Sequence, residues 1–518
     1  MDPLIASLLR ATAYPHPTAS ISLLETHISW VVLTGSYAYK VKKPVSLGFV
    51  DFSTLERRRH FCLEELRLNK RLAPQLYLEL VEIHGPAERA SLRGPGPVIE
   101  VAVRMRQFDQ EGLLPVALAT GQVTGAHLEA FAERLAAFHA AAAVAPPEGP
   151  YGTPEAVIAP AMANLEVLER LRPGLLAGNL RAWITEEAER LHPFFTERLA
   201  TGHVREGHGD LHLGNLVLHQ GEVLGFDCLE FNPDLRWIDG LSDVAFLAMD
   251  LAQANAPVLA GRVLNRWLSL SGDYGGLACW RWYLTYRALV RAKVLALRLE
   301  QLCPADSADA QTLTSQLERY CQQAQHSGGT SRPGTLLLTH GVSGSGKSHL
   351  ASALCQRHGW LHLRSDGERL RLFGHWGFPT GVVRDGDAYA ESITTELYQA
   401  CLPAAAEVAL RAGCHVVVDA TFLKRSQRQR FQALAEQLGT AWLILSCPVS
   451  LDVARHRIAM RRATGQDPSE AEEWVLLRQW DQQDPIGEEE ASHTVVVTNL
   501  LETEAILKNR LPHLMDTR

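Results

Sequence analysis

The run Gly341-Val342-Ser343-Gly344-Ser345-Gly346-Lys347-Ser348 decides how the second half of this chain folds. It follows an apolar segment, Leu336–Thr339, that reads as a strand, and it opens a segment from Lys347 that reads as a helix. The spacing is G-x-x-x-x-G-K-S. Glycines let the backbone turn its N–H groups toward one point, and the helix N-terminus adds positive potential there, which suits a phosphate. In such a cradle Gly341, Ser343, Gly344, Ser345 and Gly346 hold the phosphates, Lys347 reaches the β/γ-phosphates, and Ser348 sets its hydroxyl on Mg²⁺. The pattern therefore implies ATP and Mg²⁺.

Downstream, strand and helix alternate. Trp360–Leu363 reads as a strand, Leu397–Ala412 as a helix, and Val416–Val418 and Ala441–Ser446 as strands. That alternation predicts an α/β domain with a parallel sheet covered on both faces. A phosphate loop alone does not separate kinases from motors, so the neighbouring charges matter. Asp419 ends an apolar strand, where its carboxylate can engage Mg²⁺. Asp366, in Arg364-Ser365-Asp366-Gly367, either orients an acceptor hydroxyl or caps a helix. Arg455, Arg457, Arg461 and Arg462 share one helical stretch, which is either a solvated face or an arginine-bearing lid over the nucleotide.

Ser365-Asp366, Val418-Asp419-Ala420-Thr421-Phe422, and Arg461 followed by Asp467-Pro468-Ser469-Glu470-Ala471 resemble the P-loop small-molecule and polynucleotide-kinase-like family, over roughly 335–498. The resemblance implies catalytic roles for Asp366 and Arg461 and a metal role for Ser348 and Asp419.

The first half is organised differently. His27–Thr34 and Tyr37–Val41 read as strands joined at Gly35-Ser36, a helix follows from Leu55 to Leu72, and Val98–Met105 reads as a strand before mostly helical sequence. Strands first and helices later predict an α+β layout with a small β-rich lobe and a larger helical lobe. Gly207-His208-Gly209-Asp210-Leu211-His212-Leu213-Gly214-Asn215, then Phe226-Asp227-Cys228, resemble the catalytic and metal loops of aminoglycoside phosphotransferase-like proteins, a branch of the protein-kinase-like fold. The resemblance implies that Asp210 orients the acceptor hydroxyl and that Asn215 and Asp227 share Mg²⁺. It also calls for a strand lysine and a helix glutamate.

Lys40 and Lys42 share a strand face; the position within Ala38-Tyr39-Lys40-Val41 favours Lys40, with Lys42 as the alternative. Helical phase puts Glu65 with Phe61, Leu68 and Leu72 on the inward face, and Glu64 with His60, Arg67 and Arg71 on a solvated stripe. Arg291, on a stripe with Leu284, Ala288 and Leu295, calls for an internal partner or an anionic ligand.

Taken together, the 518 residues resemble bacterial fusions of an aminoglycoside phosphotransferase-like domain with a P-loop kinase-like, AAA-type ATP-binding domain. The polar run Gln322–Gly334 marks the expected linker between a domain at 1–321 (lobes about 1–105 and 106–321) and one at 335–518. A net charge of −8 gives no general reason to expect nucleic-acid binding, and no apolar run approaches the roughly 18 residues of a membrane span. Nine scattered cysteines without a CxxC pair, and no basic-then-apolar leader, fit the cytoplasm. The expected function is phosphoryl transfer from ATP to a hydroxyl of a small molecule. The alternatives are a nucleotide-sensing regulatory ATPase and a Ser/Thr protein kinase.

Overall fold

In the computed structural model, the described residues are 1–47, 50–176, 178–301, 308–329, 332–378, 383–464 and 473–511. The chain forms two compact units, one of residues 1–157 with 193–243 and one of 158–192 with 244–518.

The first unit is built on a five-stranded antiparallel sheet of β1 (Ser22–Glu25), β2 (Ser29–Leu33), β3 (Tyr37–Lys42), β4 (Tyr77–His84) and β5 (Val98–Arg106), in the order β1-β2-β3-β5-β4. The turn at Gly35 needs a left-handed residue (φ +95°), which glycine takes without a Cβ clash. β4 did not stand out in the sequence because Glu79 and Glu82 interrupt its apolar residues. The helix Leu55–Asn69, capped by Thr54 accepting from Arg57 N, buries Cys62, Glu65, Leu66, Leu68 and Asn69. A hairpin of β6 (Leu216–His219) and β7 (Glu222–Gly225) carries the metal-loop sequence out of its second strand. Val217 and Leu224 of the hairpin close a core with Ala38, Cys62, Leu66, Val101 and Val103.

The second unit contains a five-stranded, all-parallel sheet of β8 (Leu336–His340), β9 (Leu361–Arg364), β10 (Val416–Asp419), β11 (Trp442–Ser446) and β12 (Thr494–Val496). Its order is β9-β10-β8-β11-β12, so the phosphate-loop strand is central. Continuous apolar strands such as Val416-Val417-Val418 belong in a sheet covered on both faces, and all three are buried. The helix expected from Leu397 opens with a π turn, Leu397–Cys401, before Leu402–Arg411. Pro403 has no N–H to give Gln399 O, and Arg430 Nε approaches that carbonyl at 3.4 Å instead.

The run expected to be a linker behaves differently at its start. The helix Ala308–Ser327 continues through it because Leu313, Leu317, Cys321 and Ala324 form one buried stripe, with the polar residues between them turned away. Across the described residues, no helix is long and apolar enough to cross a membrane.

Candidate functional site

In the first unit, β3 delivers Lys40 and Lys42 to the same side, and both meet Glu65. Lys40 Nζ lies 2.7 Å from Glu65 Oε1 and 2.5 Å from Asp227 Oδ1; Lys42 Nζ lies 2.8 Å from Glu65 Oε2 and also donates to Glu230. The Lys40–Glu65 contact is an ion pair without hydrogen-bond geometry. Burial opposes charge on Glu65, but Lys40 and Lys42 outweigh it and hold the carboxyl at about 2. Glu230 goes the other way, since its burial raises its pKa more than Lys42 lowers it. Two lysines thus face the carboxyls of Glu65, Asp227 and Glu230. Lys40 borders a cavity of about 520 Å³, whereas the Lys42 side chain is fully buried behind it.

Asp210 and Asp227 line that same cavity, whose apolar wall includes Val31, Ala38, Met105 and Phe226. Asn215, on the single turn Leu213–Asn215, donates from Nδ2 to Asp210 O (2.9 Å) and Oδ2 (3.0 Å). Asp227 has φ +63°, an uncommon conformation for a residue with a Cβ, and its side chain is 44% exposed. Its N–H donates to Tyr77 Oη at 3.1 Å. The next amide, Cys228 N, donates to Asn69 Oδ1, and Asn69 Nδ2 donates to Glu65 O one helical turn back, so the helix and the metal loop are tied together.

The loop before Asp210 hangs on one buried carboxylate. Asp243 accepts from His208 N at 2.8 Å and Gly209 N at 3.0 Å. A Cβ on Gly207 would stand 2.7 Å from Asp243 Oδ2, so only glycine lets the chain pass so close. Burial lowers the His208 pKa; the neutral ring suits Nε2 donating to Phe226 O at 3.0 Å while Nδ1 accepts from Asp210 N at 3.3 Å. His208 and Asp243 are scaffold here.

In the second unit the phosphate loop leaves β8 and enters the helix Lys347–His358, with Gly341, Gly344 and Gly346 all at positive φ. A Cβ on Gly344 would meet Ala454 O at 2.7 Å, and one on Gly341 would meet Cys447 O at 2.9 Å. Arg457 Nη1 donates to the carbonyls of Gly344 and Ser345 at 3.2 Å each, which keeps the loop's N–H groups facing inward. Ser343 N is held by Gln479 Oε1 at 2.7 Å, and Ser345 Oγ is buried without a hydrogen-bond partner. Ser348 Oγ donates to Asp419 Oδ1 at 3.0 Å, and His362 Nε2 bonds Asp419 Oδ2 at 3.0 Å. Burial would raise the Asp419 pKa, but His362, Lys347 and Arg364 pull it below the usual carboxylate range.

Lys347, Ser348, Asp366 and Asp419 line one cavity of about 490 Å³. Asp366 lies inside the first turn of the helix Ser365–Leu372, whose N-cap is Arg364, so it is not the capping residue. Arg369, Tyr398 and Arg478 share the cavity and were not singled out by the sequence; no motif marks them. Tyr398 sits in the π turn and its hydroxyl accepts from Thr421 N at 3.1 Å. The side chain of Arg461 lies outside the described residues, and so does Asp467–Ala471. Arg455 pairs with Glu473 at 3.0 Å. Arg291 lies 5.8 Å from the Tyr320 ring, whose hydroxyl donates to Asp250.

Among the described residues, no group of three or more His, Cys, Asp or Glu side chains forms a metal cage. Magnesium in kinases needs only one or two protein oxygens beside phosphates and water. Ser348 with Asp419 is a donor set of that kind; Asp227 lines the first cavity, and Asn215 is held beside it, its backbone carbonyl accepting from Phe226 N at 2.9 Å, so the residues fit.

Comparison with known proteins finds one family stretch around each site. A sequence model described as "Phosphotransferase enzyme family" matches residues 49–283, and one described as "AAA domain" matches 336–486. Uncharacterized proteins of Mycobacterium tuberculosis and Mycobacterium bovis are 33% identical over 466 residues, covering 88% of this chain and 90% of theirs. This chain belongs to their family. The chain joins an aminoglycoside phosphotransferase-like domain to a P-loop kinase-like domain. The protein is an enzyme, an ATP-dependent phosphotransferase of the kinase type. Solved structures similar to the family member include a choline/ethanolamine kinase family protein from Mesorhizobium loti (13% identity, 62% of this chain and 99% of that one, TM-score 0.38). Others are the GDP complex of aminoglycoside 2'-phosphotransferase-IIIa (16%, 62% and 99%, TM-score 0.39) and a gluconokinase from Sinorhizobium meliloti 1021 (22%, 36% and 96%, TM-score 0.25).

Proposed function

We propose that the chain carries two separate ATP–Mg²⁺ sites, each transferring the γ-phosphoryl group to a hydroxyl of a small molecule. One belongs to a domain at 1–321, the other to a domain at 335–518. The observation that carries this reading is that each of two cavities is lined by both a carboxylate and a lysine: Asp210 with Lys40, and Asp366 with Lys347.

In the first site the apolar wall receives the base, and Lys40, steadied by Glu65, binds the phosphates. Lys42 holds Glu65 from behind. Asp210 accepts or orients the acceptor's hydroxyl proton, while Asn215 and Asp227 hold the metal. In the second site, loop amides and Lys347 bind the β/γ-phosphates. Ser348 and Asp419 hold the metal, Asp366 orients the hydroxyl, and Arg461 is assigned to offset charge from the lid. Bound Mg²⁺ neutralises charge that builds on the phosphoryl oxygens. The eight described cysteines are all free, which fits a reducing, cytoplasmic setting.

The test is a screen of a metabolite extract with γ-labelled ATP, using wild type, Asp210→Ala and Lys347→Ala. Labelled small molecules lost in one variant but not the other support two transferring sites. Label on protein alone selects a protein kinase, and phosphate release without labelled acceptor selects a regulatory ATPase.

A further inference from the structure

The helix Pro257–Ser271 lies within the stretch matched by the phosphotransferase model, yet its side chains and carbonyls are used around the P-loop. Three positions four residues apart, Gly261, Asn265 and Ser269, form a stripe along one face. All the residues in these contacts belong to the second compact unit.

At the first position the backbones meet. A Cβ on Gly261 would stand 2.1 Å from Gly359 O, and Gly359 closes the P-loop helix in a left-handed conformation (φ +70°). At the second, Asn265 Oδ1 accepts from His362 N in β9 at 2.8 Å. His362 then holds Asp419, which holds Ser348, so three hydrogen bonds separate Asn265 from the hydroxyl beside the phosphate loop. At the third, the helix ends. The last carbonyls of a helix have no partner within it and demand donors from elsewhere. Gly272 N supplies one, to Leu268 O. Arg371 donates to Ser269 O and Leu270 O, Trp376 Nε1 to Ser269 O at 2.9 Å, and Phe378 N to Leu270 O at 2.8 Å. Arg371 is buried and stands on the same short helix as Asp366, clamped in place by Glu368 at 3.0 Å. A cation at the negative end of a helix dipole is also electrostatically favourable.

We propose that the helix Pro257–Ser271 is a working part of the P-loop site, with Asn265 and Arg371 as positioning residues for Asp419 and Asp366. The proposal rests on the P-loop reading above and adds a coupling to it. Whatever draws Ser348 Oγ away from Asp419 changes the hold on His362, and the His362 amide is anchored on Asn265. Likewise, whatever tilts the Asp366 helix moves Arg371 on the carbonyls of Ser269 and Leu270. The face Gly261–Asn265–Ser269 therefore responds to nucleotide at Lys347, and that is one physical reason for the two domains to share a chain.

The experiment is hydrogen exchange on the full chain with and without MgATP, in wild type, Lys347→Ala, Asn265→Leu, Asn265→Asp and Trp376→Phe. In wild type, MgATP slows exchange both at 341–348 and at 257–271, the latter by about fivefold or more, the low end of coupling between sites. Lys347→Ala abolishes both effects. Asn265→Leu, which removes the acceptor for His362 N, keeps the effect at 341–348 and loses it at 257–271, and Asn265→Asp restores it. Trp376→Phe, a milder change that removes one donor, weakens it in the same direction and stands in if Asn265→Leu does not fold. Protection of 341–348 with none at 257–271 in wild type overturns the coupling while leaving the P-loop reading intact. No protection at 341–348 overturns both, and an Asn265→Leu profile identical to wild type removes Asn265 from the path.

Discussion

The two proposed phosphate sites would solve one problem with different materials. Around Lys347 the work falls to the backbone: glycines at positive φ, a helix N-terminus, and side chains already engaged with one another, as in Ser348–Asp419–His362. Around Lys40 the work falls to side chains drawn from distant parts of the chain, with Lys40, Lys42, Glu65, Asp227 and Glu230 in one ion cluster. Each region also carries an uncommon left-handed residue just past a strand: Asp227 (φ +63°) after Gly225, and Phe422 (φ +47°) after Asp419. A backbone cradle is set once a short stretch folds. A charge cluster exists only after the sheet, the helix and the hairpin have all packed.

The largest effects should separate the sites. Asp210→Ala is expected to cost its site about 10²–10⁴-fold in kcat and spare the other, and Lys347→Ala should do the reverse by about 10²–10³-fold, both read with γ-labelled ATP. One substitution silencing every activity would break the comparison.

Next, Lys42→Met should act mainly on stability and Lys40→Met mainly on the KM for ATP. Removing Lys42 strands Glu230 in the interior and leaves Glu65 with Lys40 alone, a loss of about 3–5 kcal/mol that denaturant titration would register. Equal effects on KM would mean that Lys42 also reaches nucleotide.

The ion cluster should also set an acid limit. Glu65 is depressed from 4.5 to about 2 in the folded protein, so its contribution is fully present above about pH 4.5 and disappears as pH falls toward 2. Glu65→Gln should therefore be less stable than wild type at pH 7 by about 3 kcal/mol, and the gap should close only below pH 4.5. A gap that closes near neutrality would contradict the lysine clamp.

The smallest effect belongs to the backbone site. Arg457 is exposed and only steadies two loop carbonyls, so Arg457→Ala should weaken ATP binding by about two- to fivefold in a titration.

Much of the parallel sheet was readable in advance. Leu336–Thr339, Val416–Val418 and Ala441–Ser446 fall within a residue or two of β8, β10 and β11, since buried parallel strands are continuous apolar runs. β12 escaped because three residues are too few to show a pattern. In the first half, helical phase separated Glu65 from Glu64 correctly in burial: Glu65 is fully buried and Glu64 faces Arg67. Asn69, Arg369 and Arg478 had no spacing to announce them; Asn69, for one, meets Cys228 far away in sequence.

By itself, then, the sequence determined the local events: the cradle at Gly341–Ser348, the Asp210-to-Asn215 spacing, the alternation of strand and helix, and the faces on which Lys40 and Glu65 would lie. These follow from glycine conformations and side-chain periodicities, which operate over a few residues. Only the tertiary structure decided that Lys40, not Lys42, borders the cavity, that Asp366 is not a cap, and that Gly261, Asn265 and Ser269 meet Gly359, His362 and Trp376. Those outcomes depend on burial and on hydrogen bonds between residues tens to hundreds of positions apart, which no local pattern encodes.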